Sequence, residues 1–438
     1  MTNIVNELTN KFSNHHDFFI EEELIDNTIV YVIGFTTLVD VTKSKLYIQQ
    51  IAASSISIKA FFTNISNELN VPDEQLIKAI LTGSIIILSK DATRNAVVEA
   101  FPQKLGSDIS ESKNESPVQA SIDAFGNHLD INVGMIRKRL NTERLCLDSY
   151  EVGQLNKRKI YMLYVKGRAS PELINKVEQQ LTTVQRDIET LDDLNNQFGH
   201  RRWSPVSHFS ATELPIQAVD ALKNNRIVFF LDQFPFALIY PNLVGDMVSS
   251  ANDRNLTFAL TVMLRALRII GILATLLLPA LYVALVSVNP ELFKTDLALF
   301  VIQSREGVPL SAFLETIVMV ILVDLILEGV VRLPKSVGPA VTMVGGIILG
   351  QSMVEAELVS NLLIITITAV VIASSAVVGM QNSLYLRLLK YPILLLASVF
   401  GILGICTGFV LTIIYLASLT SNEIPYLTFR LGQKGDET

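Results

Sequence analysis

Polar and apolar positions follow two regimes along this chain. Up to about residue 264 they alternate in short runs; beyond it they merge into long apolar stretches. Four of these, 266–288, 310–331, 358–379 and 393–417, reach the ~20 residues a membrane-spanning helix needs. A fifth, 337–354, is shorter and carries Gly338, Gly345, Gly346 and Gly350, so it reads either as a short span or as a re-entrant segment. Basic residues help to orient the set: Arg265 and Arg268 precede the first span, Arg332 and Lys335 follow the second, and Arg387 and Lys390 precede the last. All three pairs face the cytoplasm only if 337–354 crosses, which gives five spans and puts Glu355, Glu357 and the C-terminus outside.

The first half has a different grain. Residues 28–101 and 159–241 read as two diverged copies of one unit, each opening on a strand (TIVYVIGF at 28–35, KIYMLYVKG at 159–167) and closing on strand-turn-strand. The closing pieces align without gaps, AILTGSIIILSKD at 79–91 beside ALKNNRIVFFLDQ at 221–233: a short helix ends at a turn-forming residue and an apolar strand follows. A helix starting at Pro171 behind Ser170 carries one apolar stripe from Leu173 through Leu181 and Ile188 to Leu194. The stretch 120–145 is amphipathic, and its cluster Arg137, Lys138, Arg139 reads as a solvated face, with a partner or membrane contact as the alternative. The expected architecture is multi-domain: an α/β cytoplasmic N-terminal region of two subdomains (1–105 and 118–258, joined by a polar linker at 106–117), then an all-α transmembrane helix bundle (259–420) and a C-terminal tail (421–438).

Charge sharpens the division. From Arg265 onward there are 10 Lys/Arg and 11 Asp/Glu, leaving 25 and 31 for the front part. The formal net charge of −7 argues against nucleic acid as a main partner. Cys146 and Cys406 fall in different regimes, so no disulfide framework is expected. The opening MTNIVNELTNKFSNHHDFFIEEEL is polar and acidic, unlike a secretory signal. Histidines 15, 16, 128, 200 and 208 lack metal-ligand spacing, and there is no GxGxxG, Walker, GxSxG or HExxH string. The chain therefore reads as a non-enzyme, with no cofactor or metal.

Candidate chemistry lies in the apolar half. In FLETIVMVILVDLILEGVVR (313–332), Asp324, Glu328 and Arg332 recur at i, i+4 and i+8 on one stripe. An ionisable group at the centre of a spanning helix costs roughly 2.5 to 3.5 kcal/mol on insertion scales, so it needs a partner, water or a purpose. Glu328 and Arg332 read as a local ion pair, Asp324 as a residue on an ion-accessible path, and Glu315, on the opposite face, as a solvated helix end. Pro279 sits within the first span and reads as a tolerated kink. Ala397, Gly401, Gly404 and Gly408 form a seam of small residues for close helix packing, with a subunit contact as one use.

Ordered strings carry a resemblance: IRKRL (136–140), FFLDQFPFALIYP (229–241), LRALRIIG (264–271), LLPALYVAL (277–285), SREGVP (304–309), RLP (332–334) and VGGIILGQSMVEA (344–356). Together they make the chain similar to the A subunits of nutrient germination receptors of endospore formers, the GerA family. The resemblance implies a cytoplasmic two-subdomain region and several spans in the spore inner membrane, a transporter-like B subunit that senses nutrient, a lipoprotein C subunit, and a homo-oligomer in membrane lipid that releases monovalent cations. On that reading Asp324, Glu328 and Arg332, with Gly345, Gly346 and Gly350, are expected to form an ion path or gate. The chain departs from the family pattern at Ser121–Phe125, at Thr212–Pro215 and at Ser250–Asp253, where charged or aromatic loop residues are replaced. The alternative is a secondary transporter that moves a solute itself; a repeat confined to the soluble half and an odd span count weigh against it.

Overall fold

The computed structural model describes residues 3–431 except 27, 56, 91–93, 100, 104–122, 185, 200–202, 251–252, 254, 334–336 and 430. The expected linker at 106–117, Ser121 and Ile122, His200 and Lys335 lie outside the described residues. The chain divides into two compact units, Met1–Asn242 with Arg430–Thr438, and Leu243–Phe429.

The first unit is one pattern written twice. Its first copy runs α1 (Asn3–Lys11), β1 (Phe18–Ile25), β2 (Thr28–Phe35), α2 (Val41–Ser54), α3 (Ile58–Ile65), β3 (Glu68–Leu69), α4 (Asp73–Thr82), β4 (Ile85–Ser89) and β5 (Asn95–Val98). The second runs α5 (Leu129–Arg139), β6 (Leu145–Val152), β7 (Arg158–Val165), α6 (Pro171–Thr182), α7 (Leu191–Gln197), β8 (Ser210–Thr212), α8 (Pro215–Lys223), β9 (Ile227–Leu231) and β10 (Ala237–Tyr240). The sheets are antiparallel throughout and share one order, β1-β2-β4-β5-β3 and β6-β7-β9-β10-β8. Each copy thus begins a helix and a strand earlier than the sequence pattern indicates. The aligned turn is a structural equivalence: Gly83 (φ 96°) and Asn225 (φ 65°) occupy the same place before the buried strands β4 and β9, in the left-handed region that Gly and Asn tolerate best.

Helix starts follow local chemistry. The Asp40 and Ser57 side chains accept the backbone N–H of Lys43 and Ala60, satisfying donors left open in a first turn. The long helix expected from Pro171 to Leu194 is instead two. Thr182 and Thr183 turn their hydroxyls back onto carbonyls of the preceding turn, and a Thr190–Asp193 capping box starts α7 afresh. The apolar stripe survives the break, since Leu173, Val177, Leu181, Ile188 and Leu194 are all buried.

The second unit is helical: α9 (Gly245–Val248), α10 (Phe258–Val283, prolonged as π-helix to Val288), α11 (Thr295–Ser304), α12 (Ala312–Arg332), α13 (Gly338–Glu355), α14 (Asn361–Ser375) and α15 (Met380–Ser418). A terminal hairpin, β11 (Thr420–Ser421) with β12 (Ile424–Pro425), turns at Asn422 and Glu423, both at positive φ. Among the described residues, two helices, Phe258–Val288 and Gln381–Ser418, are long and apolar enough to cross a membrane by length and composition, and Asn361–Ser375 is a shorter apolar helix. Pro279 lies inside a helix that runs on through it. The stretch 337–354 forms the unbroken helix α13.

The last apolar run is not one straight rod. Gly401 breaks the helical path (φ 61°, ψ −134°), and α15 doubles back there. The Cα of Gly404 faces Leu396 and Ala397, and that of Gly408 faces Ile393, so partners recede as position advances, as in an antiparallel pair. In a straight helix, positions eight apart would lie about 12 Å from one another. The small-residue seam is therefore spent inside the chain, joining arms 380–400 and 402–418. Asn289, at the end of α10, accepts the Ile402 N–H at 3.1 Å beside the break. At the other end, Val244 N–H donates to Tyr426 O at 2.9 Å and Val378 N–H to Met247 O at 3.1 Å. Both ends of α15 thus return to the segment by which the chain enters this unit.

Candidate functional site

The seam is built where α12 meets α15. Asp324 is partly covered, and each carboxylate oxygen has a donor: Lys390 Nζ to Oδ1 at 3.0 Å and the Tyr391 hydroxyl to Oδ2 at 2.6 Å. Lys390 is 4% exposed, so the charged pair sits among apolar residues, where a well-made pair offsets the cost of removing both charges from water. The sequence shows the acid and the base but not their meeting, because 66 positions separate them. The cleft beside them is walled by Val320, Val323 and Leu327 of α12, Ile367, Val370, Val371 and Ser374 of α14, and Thr275 of α10, with Arg387 also on its lining.

Other stripe residues are placed differently. Glu328 and Arg332 form the expected i,i+4 pair at 2.6 Å, with side chains 54% and 77% exposed. Gly345, Gly346 and Gly350 of α13 do not approach Asp324: a Cβ added at any of them meets no atom within 4 Å. Gly401, Gly404 and Gly408 serve the doubled helix, and Pro279 is buried in α10.

Glu315 overturns its reading as a solvated end. It is fully buried and ties four segments together. Its Oε1 accepts the Ser360 backbone N–H at 2.7 Å and the Tyr282 hydroxyl at 3.3 Å, while Arg305 stands 3.5 Å from Oε2. The Tyr282 and Ser360 hydroxyls share a hydrogen at 2.8 Å, and Ser360 also caps α14. An acid in the first turn of a helix usually looks outward, and nothing local announces these three partners.

Asp253, in the departing loop Ser250–Asp253, is buried and held by both Arg268 guanidinium nitrogens at 2.6 and 2.9 Å. Burial alone would raise its carboxyl, but the Arg268 hydrogen bonds, the Ser250 N–H and the charges of Arg268 and Arg265 hold it below the usual range. In the first unit, Arg137 departs from the solvated-face reading of its cluster, whereas Lys138 is exposed as that reading has it. Arg137 is 2% exposed, lies 4.2 Å over the Phe35 ring and grips both oxygens of Asp17 at 2.6 and 2.7 Å. The described residues contain no group of three or more His, Cys, Asp and Glu able to hold a metal ion.

The chain matches the family described as Bacillus/Clostridium GerA spore germination protein over residues 6–434. It is 30% identical over 410 residues to spore germination protein GerLA of Bacillus cereus, covering 92% of this chain and 81% of that one. Spore germination protein A1 of Bacillus subtilis is 28% identical over 356 residues, 81% of this chain and 74% of that protein. The uncharacterized membrane protein YfkQ of Bacillus subtilis is 28% identical over 399 residues, 87% and 78% of the two chains. Among solved structures, the N-terminal domain of the A subunit of the Bacillus megaterium spore germinant receptor GerK3 aligns with TM-score 0.41 and 17% identity, over 55% of this chain and 93% of that one. The chain belongs to the GerA family of spore germination proteins.

Proposed function

We propose that this chain is the A-type membrane subunit of a nutrient germinant receptor. It works beside a transporter-like B subunit and a lipoprotein C subunit in the spore inner membrane, and an oligomer of it couples nutrient recognition to ion release. The supporting observation is a carboxylate, Asp324, clamped by Lys390 and Tyr391 between two helices of an apolar unit, in a chain of a germination family. A buried ion pair of this kind adds little stability but is costly to break, so it suits a latch between two helix arrangements. In the closed arrangement Lys390 neutralises Asp324; parting α12 from α15 frees the carboxylate to face a passing cation.

The test is Asp324→Asn at normal protein level in spores. Cation release after nutrient addition is expected to fall or to occur without nutrient, and the Asp324→Lys, Lys390→Asp exchange restores assembly but not regulated release. Unchanged release in Asp324→Asn removes the residue from the mechanism.

The same reading extends to topology. We propose six crossings, by α10, α12, α13, α14 and the two arms of α15, in place of five. The support is the pair of ends described above: Asn289 meets the Gly401 break at one end, and Tyr426 meets Val244 at the other. Residues 402–418 rise about 25 Å as helix, close to the ~30 Å hydrocarbon thickness. A cysteine placed at the C-terminus should resist impermeant reagents applied from outside intact cells; labelling there would refute an even count.

A further inference from the structure

The cleft beside Asp324 carries an unbalanced charge. Three ionisable groups line it: Asp324, Lys390 and Arg387. Asp324 is fully engaged by Lys390 and Tyr391. Arg387 is not. Its Nε is sealed from solvent with no hydrogen-bond partner, and among the described residues the side chain makes no ion pair. A guanidinium in an apolar unit is expected to pair with an acid or a backbone carbonyl, and among the described residues this one has neither. The lining has one further character: beyond the charged groups its wall is apolar except for Thr275 and Ser374, whose hydroxyls are turned onto carbonyls of their own helices, and Val323, Leu327 and Val371 are only half-buried.

We infer that the cleft is a binding site for an anionic phospholipid, its phosphate on Arg387 and an acyl chain along Val323, Leu327 and Val371. The inference rests on the membrane reading above and deepens it. Charge complementarity selects the head: one unpaired cation, no free acid, and a planar fork of donors that suits phosphate oxygens. Depth is consistent with a headgroup. Arg387 stands about 10 Å along α15 from Met380, and a side chain of that length reaches back toward the interface. The apolar wall selects a lipid over a free anion, which would leave that surface unused. Basic pockets between spanning helices on the cytoplasmic side hold anionic headgroups for these reasons. Because Lys390 shares the cleft, a bound phosphate competes with Asp324 for the lysine and so biases the proposed latch.

The experiment uses the full chain in mixed micelles doped with phosphatidylglycerol, with phosphatidylcholine, or with inorganic phosphate alone, read by thermal unfolding and by retained lipid in native mass spectrometry. Phosphatidylglycerol should stabilise the chain and be retained over phosphatidylcholine by roughly fivefold, the value of one basic contact at a membrane surface. Arg387→Gln should erase that preference, Arg387→Lys should keep part of it, and Lys294→Gln, beyond the far end of α10, should leave it intact. Equal retention of the two lipids by the native chain overturns the proposal even if Arg387→Gln fails to fold. An equal shift with inorganic phosphate alone overturns the lipid source and leaves a free-anion site. A chain that stays in solution without detergent would instead sink the membrane reading; a detergent-requiring chain with no lipid preference sinks this inference alone.

Discussion

His15 is buried at 4% exposure against the rings of Phe12 and Phe35. Burial, reinforced by the neighbouring Arg137 charge and only partly opposed by the Asp17 charge and a backbone hydrogen bond at Glu143, lowers its pKa from 6.5 to about 4. The unfolded chain therefore binds a proton that the folded chain refuses between these two values. Stability rises with pH through that window, so it is full above about 6.5 and falls on acidification toward 4. The largest loss from this one group is about 3 kcal/mol. Denaturant unfolding followed by circular dichroism should show the native chain losing stability faster than His15→Leu between pH 6.5 and 4; parallel curves would exclude His15 as the cause. The other informative residues share a lesson. Asp324, Glu315 and Arg137 stand out in the sequence as charges, yet what each one does depends on partners from distant segments, Lys390, Tyr282 with Ser360, and Asp17, which no local spacing reveals.

Elements were legible where local chemistry and tertiary packing agree. Gly83 and Asn225 align because a helix stop and a buried strand follow one another in both copies. Strand β1 was hidden because FFIEEELI lies at a sheet edge with both faces partly open, so its three glutamates blur the alternation. The doubled α15 was hidden for the opposite reason: the apolar run is continuous, and only Gly401 records the reversal. Glycines on the two apolar helices therefore predict opposite outcomes. Gly404→Ala sets a methyl into the backbone of Leu396 and should cost about 1–3 kcal/mol, seen as a lower melting temperature of the purified chain. Gly346→Ala adds a methyl in open space and should be neutral or stabilising by up to about 1 kcal/mol. A large loss in Gly346→Ala with the isolated chain would mean that α13 packs more closely than it does here.

At the scale of the molecule, the division into an α/β first unit and a helical second unit was readable from the change of hydrophobic grain near residue 264, since short alternating runs suit sheet and amphipathic helix and long apolar runs suit helix apolar all round. The way the two copies of the first unit hold each other was not readable, because the contacts join α1 and its following loop to α5, the α5–β6 loop and β6 of the second copy. Lys11 pairs with Glu143 at 2.6 Å, His16 N–H donates to Leu147 O at 3.1 Å, Leu147 N–H donates to Asn14 O at 3.1 Å, and Asp17 carries the buried Arg137. These grips bypass the peptide between the copies, so its continuity is dispensable for their union. Fragments 1–105 and 118–438, made as separate polypeptides in one cell, should therefore copurify. Asp17→Ala, which strands a buried guanidinium at about 3–5 kcal/mol, should part them. In mechanical terms the duplicated half is bolted rather than tethered: a push delivered to either sheet is borne by both, and a protease that cuts the chain between the copies leaves the pair moving as one body.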